Sequence, residues 1–488
     1  MTRSAGLVAA AACCLALAAC AGQSIGGGAV PQRSSGAPTS SPSNTAPAGD
    51  LAIARNDTRA DSVYPEFGDP LVDALHYDLD LTWAPDGDRL TARETLTFRA
   101  TGDAPRIPLD FNEQLTISSA TVDGAPAEVS VEGNDLTVAH AVVADRQYVL
   151  VLEYSGSPVS APAPSQRADF SQGVGWTTTA EHETSTLQEP YGAFTWYAVN
   201  DQPSDKALYD FTLTAPAPMS GVANGVLASS TTEGGRSVNT WHLAEPASSY
   251  LVTVAFGDYQ HTDLASASGV PIQVWADADG DPLPGDTAKT PAAIDWLENL
   301  LGPYPFDSFG VLVVDNESGM ETQTMITLGD STYSLSEAVL VHEAAHHWYG
   351  DTVTPADWSD VWMNEGMAMY LQGMWEAEQE GTTMLSKTDD WAVFESDLRA
   401  ESGPPGAFNP TRFGDGNIYY GPALMWQELR ERIGDKRFFE VLREWPAREA
   451  NGTSDRREYV DWIEQTTGEE LSDFFDDWLL DENTPERD

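Results

Sequence analysis

Cysteine, basic residues and long apolar runs are what this chain of 488 residues has least of. Its three cysteines, Cys13, Cys14 and Cys20, all fall within the first twenty residues. The rest of the chain therefore has no disulfide to draw on and must hold its fold by burial and hydrogen bonding. Basic side chains are few: 25 Lys and Arg stand against 76 Asp and Glu, a formal net charge of −51. A phosphate backbone would be repelled, which argues against nucleic acid as a partner. The acid is spread through the chain rather than held in one tail. It reads as a solvated surface that keeps the protein soluble, including in high salt. Beyond residue 20 no apolar run is long enough to cross a bilayer as a helix.

What is present begins with a leader over 1–20. Arg3 gives a positive start, Leu7 to Leu17 an apolar core, and Leu17-Ala18-Ala19-Cys20 a small-residue cleavage site. The pattern resembles a bacterial lipoprotein signal, in which Cys20 becomes the lipidated first residue of the mature chain. An ordinary secretory peptide with an incidental cysteine is the alternative. Either implies an extracytoplasmic protein, lipid-anchored to the bacterial cell membrane or secreted. Residues 21–62, rich in Gly, Ser, Ala, Pro and Thr, read as a flexible linker. Forty such residues span roughly 35 Å end to end.

From 63 to 262 the pattern has period two. Tyr77, Leu79, Leu81 and Trp83 alternate with polar residues, as do Tyr148, Leu150, Leu152 and Tyr154, and Tyr209, Phe211 and Leu213. Asp86-Gly87 and Asp123-Gly124 supply hairpin turns, and Tyr250 to Phe256 reads as a buried strand. This is a β-sheet domain. From 263 to 488 the character changes. The acidic stretch at 277–281 lacks the Gly and Glu of a calcium loop, since Pro282 and Ala288 stand at those positions, and it reads as a surface loop. Ala292 to Leu301 suggests a helix and Phe309 to Val314 a short buried strand. Beyond Tyr420 the chain is mostly helical, with Phe438, Phe439, Leu442, Trp462, Phe474, Phe475 and Trp478 as core.

The chemistry centres on His342-Glu343-Ala344-Ala345-His346, an H-E-x-x-H pattern. On a helix, residues four apart share a face, so both imidazoles can reach one ion. The helical context is supplied by Ser334 with Glu337 as a capping box, an apolar stripe of Leu335, Val339 and Leu340, and Gly350 just past the end. Eighteen residues separate His346 from Glu365. A second helix beginning near Trp362 and returning beside the first would offer Glu365 as a third ligand. Two His and one Glu leave a fourth tetrahedral position open, as in a catalytic rather than a structural zinc site. Glu343, on the same helix, is the candidate general base and acid. The adjacent His347 points about 100° away from His346 and reads as structural.

The stretch VHEAAHHWYGDTVTPADWSDVWMNEGMAMY resembles the signature of the aminopeptidase N family of zinc peptidases, with His347 where Gln is usual and Met363 where Leu is usual. The HYDLDL stretch and the segment from Glu189 to Leu213 resemble the family's N-terminal domain. The resemblance implies an α+β multidomain chain: a saddle-like N-terminal β-sheet domain, then a thermolysin-like, mainly α catalytic domain. It implies one Zn2+ per chain on His342, His346 and Glu365. Ser318-Gly319-Met320-Glu321-Thr322 resembles the family's G-x-M-E-N motif. By that likeness Glu321 grips the free α-ammonium of a peptide while the backbone around Gly319 and Met320 pairs with it as an added strand. Glu189 is a second candidate for the amine, with Gln188 as the neighbouring alternative. For the oxyanion donor the family's Y-x-x-G-A-L stretch corresponds to Ile418 to Met425, which makes Tyr419 the candidate, with Pro422 at the usual Gly and Tyr420 as the alternative. Larger members carry a further helical domain that roofs the site, so a compact form with a more open cleft is expected. The activity implied is removal of N-terminal residues from peptides with a free N-terminus, by a monomer. The alternatives are an endopeptidase or an epoxide hydrolase on the same scaffold, and a non-catalytic peptide-binding surface lipoprotein.

Overall fold

A computed structural model gives the structure of residues 51–487. The leader with Cys20, and the linker as far as residue 50, lie outside the described residues. The linker does not extend to residue 62. Residues 51–62 pack onto the fold, with Ala54 fully buried and the Asn56 side-chain amide donating to the Lys206 carbonyl at 2.8 Å. Arg59 pairs with Asp455 at 3.0 Å, and the buried Asp61 carboxylate accepts the Trp358 N–H at 2.7 Å. Composition alone hides this, because the anchoring comes from partners hundreds of residues away.

Alternation along Val72–Ala84 buries Tyr77, Leu79, Leu81 and Trp83, as a period-two strand requires. The strand sits inside an eight-stranded sheet. It runs parallel to Lys206–Pro216, with Tyr77 opposite Tyr209 and Leu79 opposite Phe211, and antiparallel to Arg89–Ala100. Asp123 and Gly124 both take positive φ, 51° and 76°, in a two-residue hairpin turn between Leu115–Val122 and Ala125–Pro126. A second sheet of four short strands packs on the first through Trp83, Trp176 and Phe256. The stretch from Tyr250 to Phe256 is buried but is not one strand. Ser249–Leu251 forms a 3-10 turn, and only Val254–Gly257 pairs in the sheet. The break lets the Tyr250 hydroxyl donate to the Gly350 carbonyl at 3.2 Å.

A third sheet, of five strands, carries the other half. Its order is Tyr259–Ala265, Pro271–Asp277, Phe309–Val314, Ile326–Gly329 and, at one edge, Gly319–Met320. The expected division at 262/263 falls inside the strand Tyr259–Ala265, so the chain changes sheets at Asp258 instead. Helices follow: α1 (Thr290–Leu301), α2 (Glu337–His346), α3 (Trp362–Glu380), α4 (Met384–Ser402), α5 (Asn417–Ile433), α6 (Asp435–Arg448), α7 (Arg456–Thr467) and α8 (Ser472–Leu480). Phe438, Leu442, Trp462, Phe475 and Trp478 are buried among them, whereas Phe439 and Phe474 are half-buried. Gly366 on α3 lies under Pro422 on α5. A Cβ there would come within 2.3 Å of the Pro422 Cβ, so only glycine lets the two helices approach this closely.

Candidate active site

Helix α2 begins at Ser336, whose Oγ accepts the Val339 N–H at 3.4 Å. The cap is thus two residues later than Ser334, whose hydroxyl instead donates to the Glu317 carbonyl at 3.0 Å. The helix ends in a widened turn, His347–Asp351, in which Gly350 takes φ 136°. That turn brings the Tyr349 carbonyl to 3.1 Å from His346 Nδ1. On α3, two turns beyond Glu365, the Gln372 Oε1 lies 3.1 Å from His342 Nδ1, and Glu376 holds the amide by accepting from its Nε2 at 2.8 Å. Both Nδ1 atoms therefore carry the hydrogen, and both Nε2 lone pairs are left for a ligand.

Those two Nε2 atoms converge on one carboxylate oxygen. Glu365 Oε2 is 3.3 Å from His342 Nε2 and 3.4 Å from His346 Nε2. A tetrahedral ion with bonds of about 2.0–2.1 Å has ligand-to-ligand edges of roughly this length. All three residues are buried. Two nitrogens and one carboxylate fit zinc. Burial would lower the His346 imidazole, but the charges of Glu321, Glu365 and Glu343 outweigh it and raise the group to about 10, so an ion bound at its Nε2 would take the place of a proton. Burial would likewise raise Glu365, yet the two imidazoles hold it far below the carboxylate range. So close an array of buried acids and imidazoles calls for a cation.

Glu343, one residue after His342, is also buried. Burial pushes its carboxyl well above the ordinary value; His346 opposes the shift, and Glu321 and Glu365 add to it. Gly319, on the edge strand, packs against this carboxylate, and a Cβ at that position would come within 2.4 Å of Glu343 Oε1. Beyond lie Glu321 and Glu189, both buried, each with an Oε1 that has no hydrogen-bond partner among the described residues. Burial raises both carboxyls, Glu321 to about 7 against the opposing charge of His346, and Glu189 further because Glu321 adds its own charge. Gln188 points elsewhere. Its amide donates to the Ser249 carbonyl at 2.6 Å and accepts from the Trp196 indole at 2.9 Å. Met320 is buried and, with Phe170, Val174 and Leu187, lines a narrow cavity beside Glu189 and Gly319.

Tyr419, near the start of α5, stacks its ring 6.0 Å from the His342 ring. Tyr420 faces away, edge-on to Phe394 at 4.7 Å. His347 is buried, 2.8 Å from the Tyr304 hydroxyl and packed on Phe309. The Thr322 hydroxyl, where the likeness has Asn, donates to the Met325 carbonyl and closes the turn behind Glu321. Three groups escaped the sequence reading: Gln372, the Tyr349 carbonyl and Arg167, which donates to the Tyr419 hydroxyl at 3.2 Å. Only Gln372 left a signal, its place on the Glu365 face of α3.

Two family profiles match the chain, the Peptidase M1 N-terminal domain over residues 73–251 and the Peptidase family M1 domain over residues 287–478. The chain belongs to the peptidase M1 family. It is 24% identical to an aminopeptidase N of Streptomyces lividans over 449 residues, which is 84% of this chain and 50% of that protein. It is 27% identical to leucine aminopeptidase 2 of Aspergillus fumigatus over 312 residues, 56% of this chain and 46% of that protein. It thus spans about half the length of these M1 relatives. Among solved structures, an M1 zinc metallopeptidase mutant of Deinococcus radiodurans, bound to a Tyr-Ser-Ala substrate, superposes with a TM-score of 0.80 at 26% identity. That match covers 88% of this chain and 99% of the other. The M1 fold, a β-sheet domain followed by a helical domain, is therefore that of this chain.

Proposed function

We propose that this protein is a zinc aminopeptidase that removes N-terminal residues from peptides, with one zinc per chain held by His342, His346 and Glu365. The observation that carries the reading is the pair of partnerless buried carboxylate oxygens, on Glu321 and Glu189, beside the ligand triad. A free α-ammonium is the group that would satisfy both. Zinc there would supply a Lewis acid and a nucleophilic water at neutral pH. Glu343 takes the proton of the attacking water and passes it to the leaving amine. The Tyr419 hydroxyl donates to the oxygen of the scissile carbonyl as charge develops on it. The edge strand Gly319–Met320 pairs on one side only among the described residues, which leaves the other for the peptide backbone. With Glu321 and Glu189 on the amine, the cavity walled by Phe170, Val174, Leu187 and Met320 takes the first side chain, which favours an apolar one.

The test is a panel of aminoacyl fluorogenic amides, with and without chelator, beside Glu343→Gln. Activity should be abolished by the chelator and fall about 10²–10⁴-fold in the variant, and N-acetylated peptides should stay uncut. Cleavage of blocked peptides would establish the endopeptidase instead. A zinc-loaded protein that leaves every substrate intact would establish a binding protein. The leader and linker support an extracytoplasmic protein anchored through Cys20, and metabolic labelling with palmitate beside Cys20→Ala tests that. Sedimentation tests the expectation of a monomer.

A further inference from the structure

Arg167 lies in the N-terminal half, in the loop before the strand Gly175–Thr178, and reaches the start of α5 in the other half. Its Nη1 donates to the Tyr419 hydroxyl at 3.2 Å and to the Gly414 carbonyl at 2.9 Å. Asp169 grips the rest of the fork, accepting from Nε at 3.0 Å and from Nη2 at 2.5 Å. The guanidinium also sits 5.3 Å over the Phe170 ring. The Ser318 Oγ lies 3.3 Å from the Asp169 Oδ2 and 3.2 Å from the Gly319 carbonyl, so its one proton is shared between the two acceptors. Ser318 is the position where the resemblance has glycine. Its hydroxyl thus places the segment that runs on to Glu321 beside Asp169, which in turn grips Arg167.

A guanidinium only donates, so the phenol oxygen must be the acceptor in its bond with Arg167. The hydroxyl has no other hydrogen-bond partner among the described residues, so its own proton is left without an acceptor in the protein. We propose that Arg167 is a positioning residue for Tyr419, occupying an oxygen lone pair so that the O–H proton is aimed at the substrate carbonyl oxygen. The role rests on the aminopeptidase reading and adds to it a device that spans the two halves of the fold. A rotating hydroxyl would be aimed only part of the time. One held by a clamped arginine is oriented before substrate arrives, and that pre-orientation strengthens oxyanion stabilisation.

A double-mutant cycle tests this. Arg167→Met is made in the full chain with Tyr419 and with Tyr419→Phe, and a phosphinic dipeptide analogue, which mimics the tetrahedral state, is titrated calorimetrically against each zinc-loaded protein. With Tyr419 present, Arg167→Met is expected to weaken the analogue about tenfold, as loss of a bond to a charged donor does. It should lower kcat similarly while KM stays within about threefold. In the Tyr419→Phe background the loss should fall below about twofold. Ser318→Gly, which releases Asp169 without touching the arginine, should cause a smaller loss of the same kind and likewise only with Tyr419. Equal losses in both backgrounds, or no loss in either, overturn the role while leaving the aminopeptidase reading intact. A zinc-loaded wild type that neither cleaves free-amine amides nor binds the analogue removes that reading, and this role with it.

Discussion

Gln372→Leu isolates what holds one proposed zinc ligand, His342, in the tautomer that metal binding needs. The Gln372 Oε1 lies 3.1 Å from His342 Nδ1 and is the acceptor that keeps the hydrogen there. Leucine has a similar volume and no acceptor. The Nδ1–H would then be buried without a partner, because His342 is only 9% exposed. Leaving such a donor unpaired costs about 1–3 kcal/mol. The imidazole can escape that cost by moving the hydrogen to Nε2, but Nε2 is the atom aimed at the metal. Either way the zinc-bound form loses this amount relative to the free form, so affinity should fall roughly 5- to 150-fold. Competition against a fluorescent chelator at pH 7.5 measures it directly, with circular dichroism to show that the fold persists. Glu376→Ala is the graded control. It removes the 2.8 Å bond that steadies the amide but leaves the Oε1 acceptor, and it should cost less than about threefold. A Gln372→Leu protein that binds zinc as tightly as the wild type would refute the reasoning, and so would a control that loses as much as the leucine variant.

Two further outcomes are expected. Glu321→Gln should raise KM for free-amine amides about 10- to 100-fold, the weight of a charge-assisted bond in a buried site, with zinc content unchanged; an unchanged KM would place the ammonium elsewhere. Glu94 is buried in the β-sheet half, and burial pushes its carboxyl from the ordinary 4.5 up to about 8, against the opposing hydrogen bonds of the Ala198 N–H and Tyr154. The folded state then holds a proton that the unfolded chain has released between those values, so this group's contribution to stability falls as pH rises from about 4.5 to 8. Glu94→Gln should therefore raise the melting temperature more at pH 8.5 than at pH 5.5, and an equal shift at both would count against the linkage.

The local pattern already held a good part of this protein. The helix that begins at Trp362 and the strand Phe309–Val314 follow from residues adjacent in the chain, as do the two histidines on one face of α2. The spacing from His346 to Glu365 is likewise local information, since a turn and the first residues of a second helix are enough to return a side chain to the first. Choices between neighbours were not legible. Gln188 stands beside Glu189 and Tyr420 beside Tyr419, and only the family resemblance favoured Glu189 and Tyr419 over their neighbours. In the structure the Ser249 carbonyl and the Trp196 indole occupy Gln188, Phe394 packs on Tyr420, and Tyr419 stacks on His342. The groups that set the site's protonation were hidden for the same reason. Arg167 and Ser318 meet residues 252 and 149 positions away, and Gln372, signalled only by its place on the Glu365 face, meets one 30 positions away. Periodicity records which face of an element is buried. It carries no record of which distant element covers that face, and here the covering elements bring Gln372 to His342, Arg167 to the Tyr419 hydroxyl and Lys206 to Asn56.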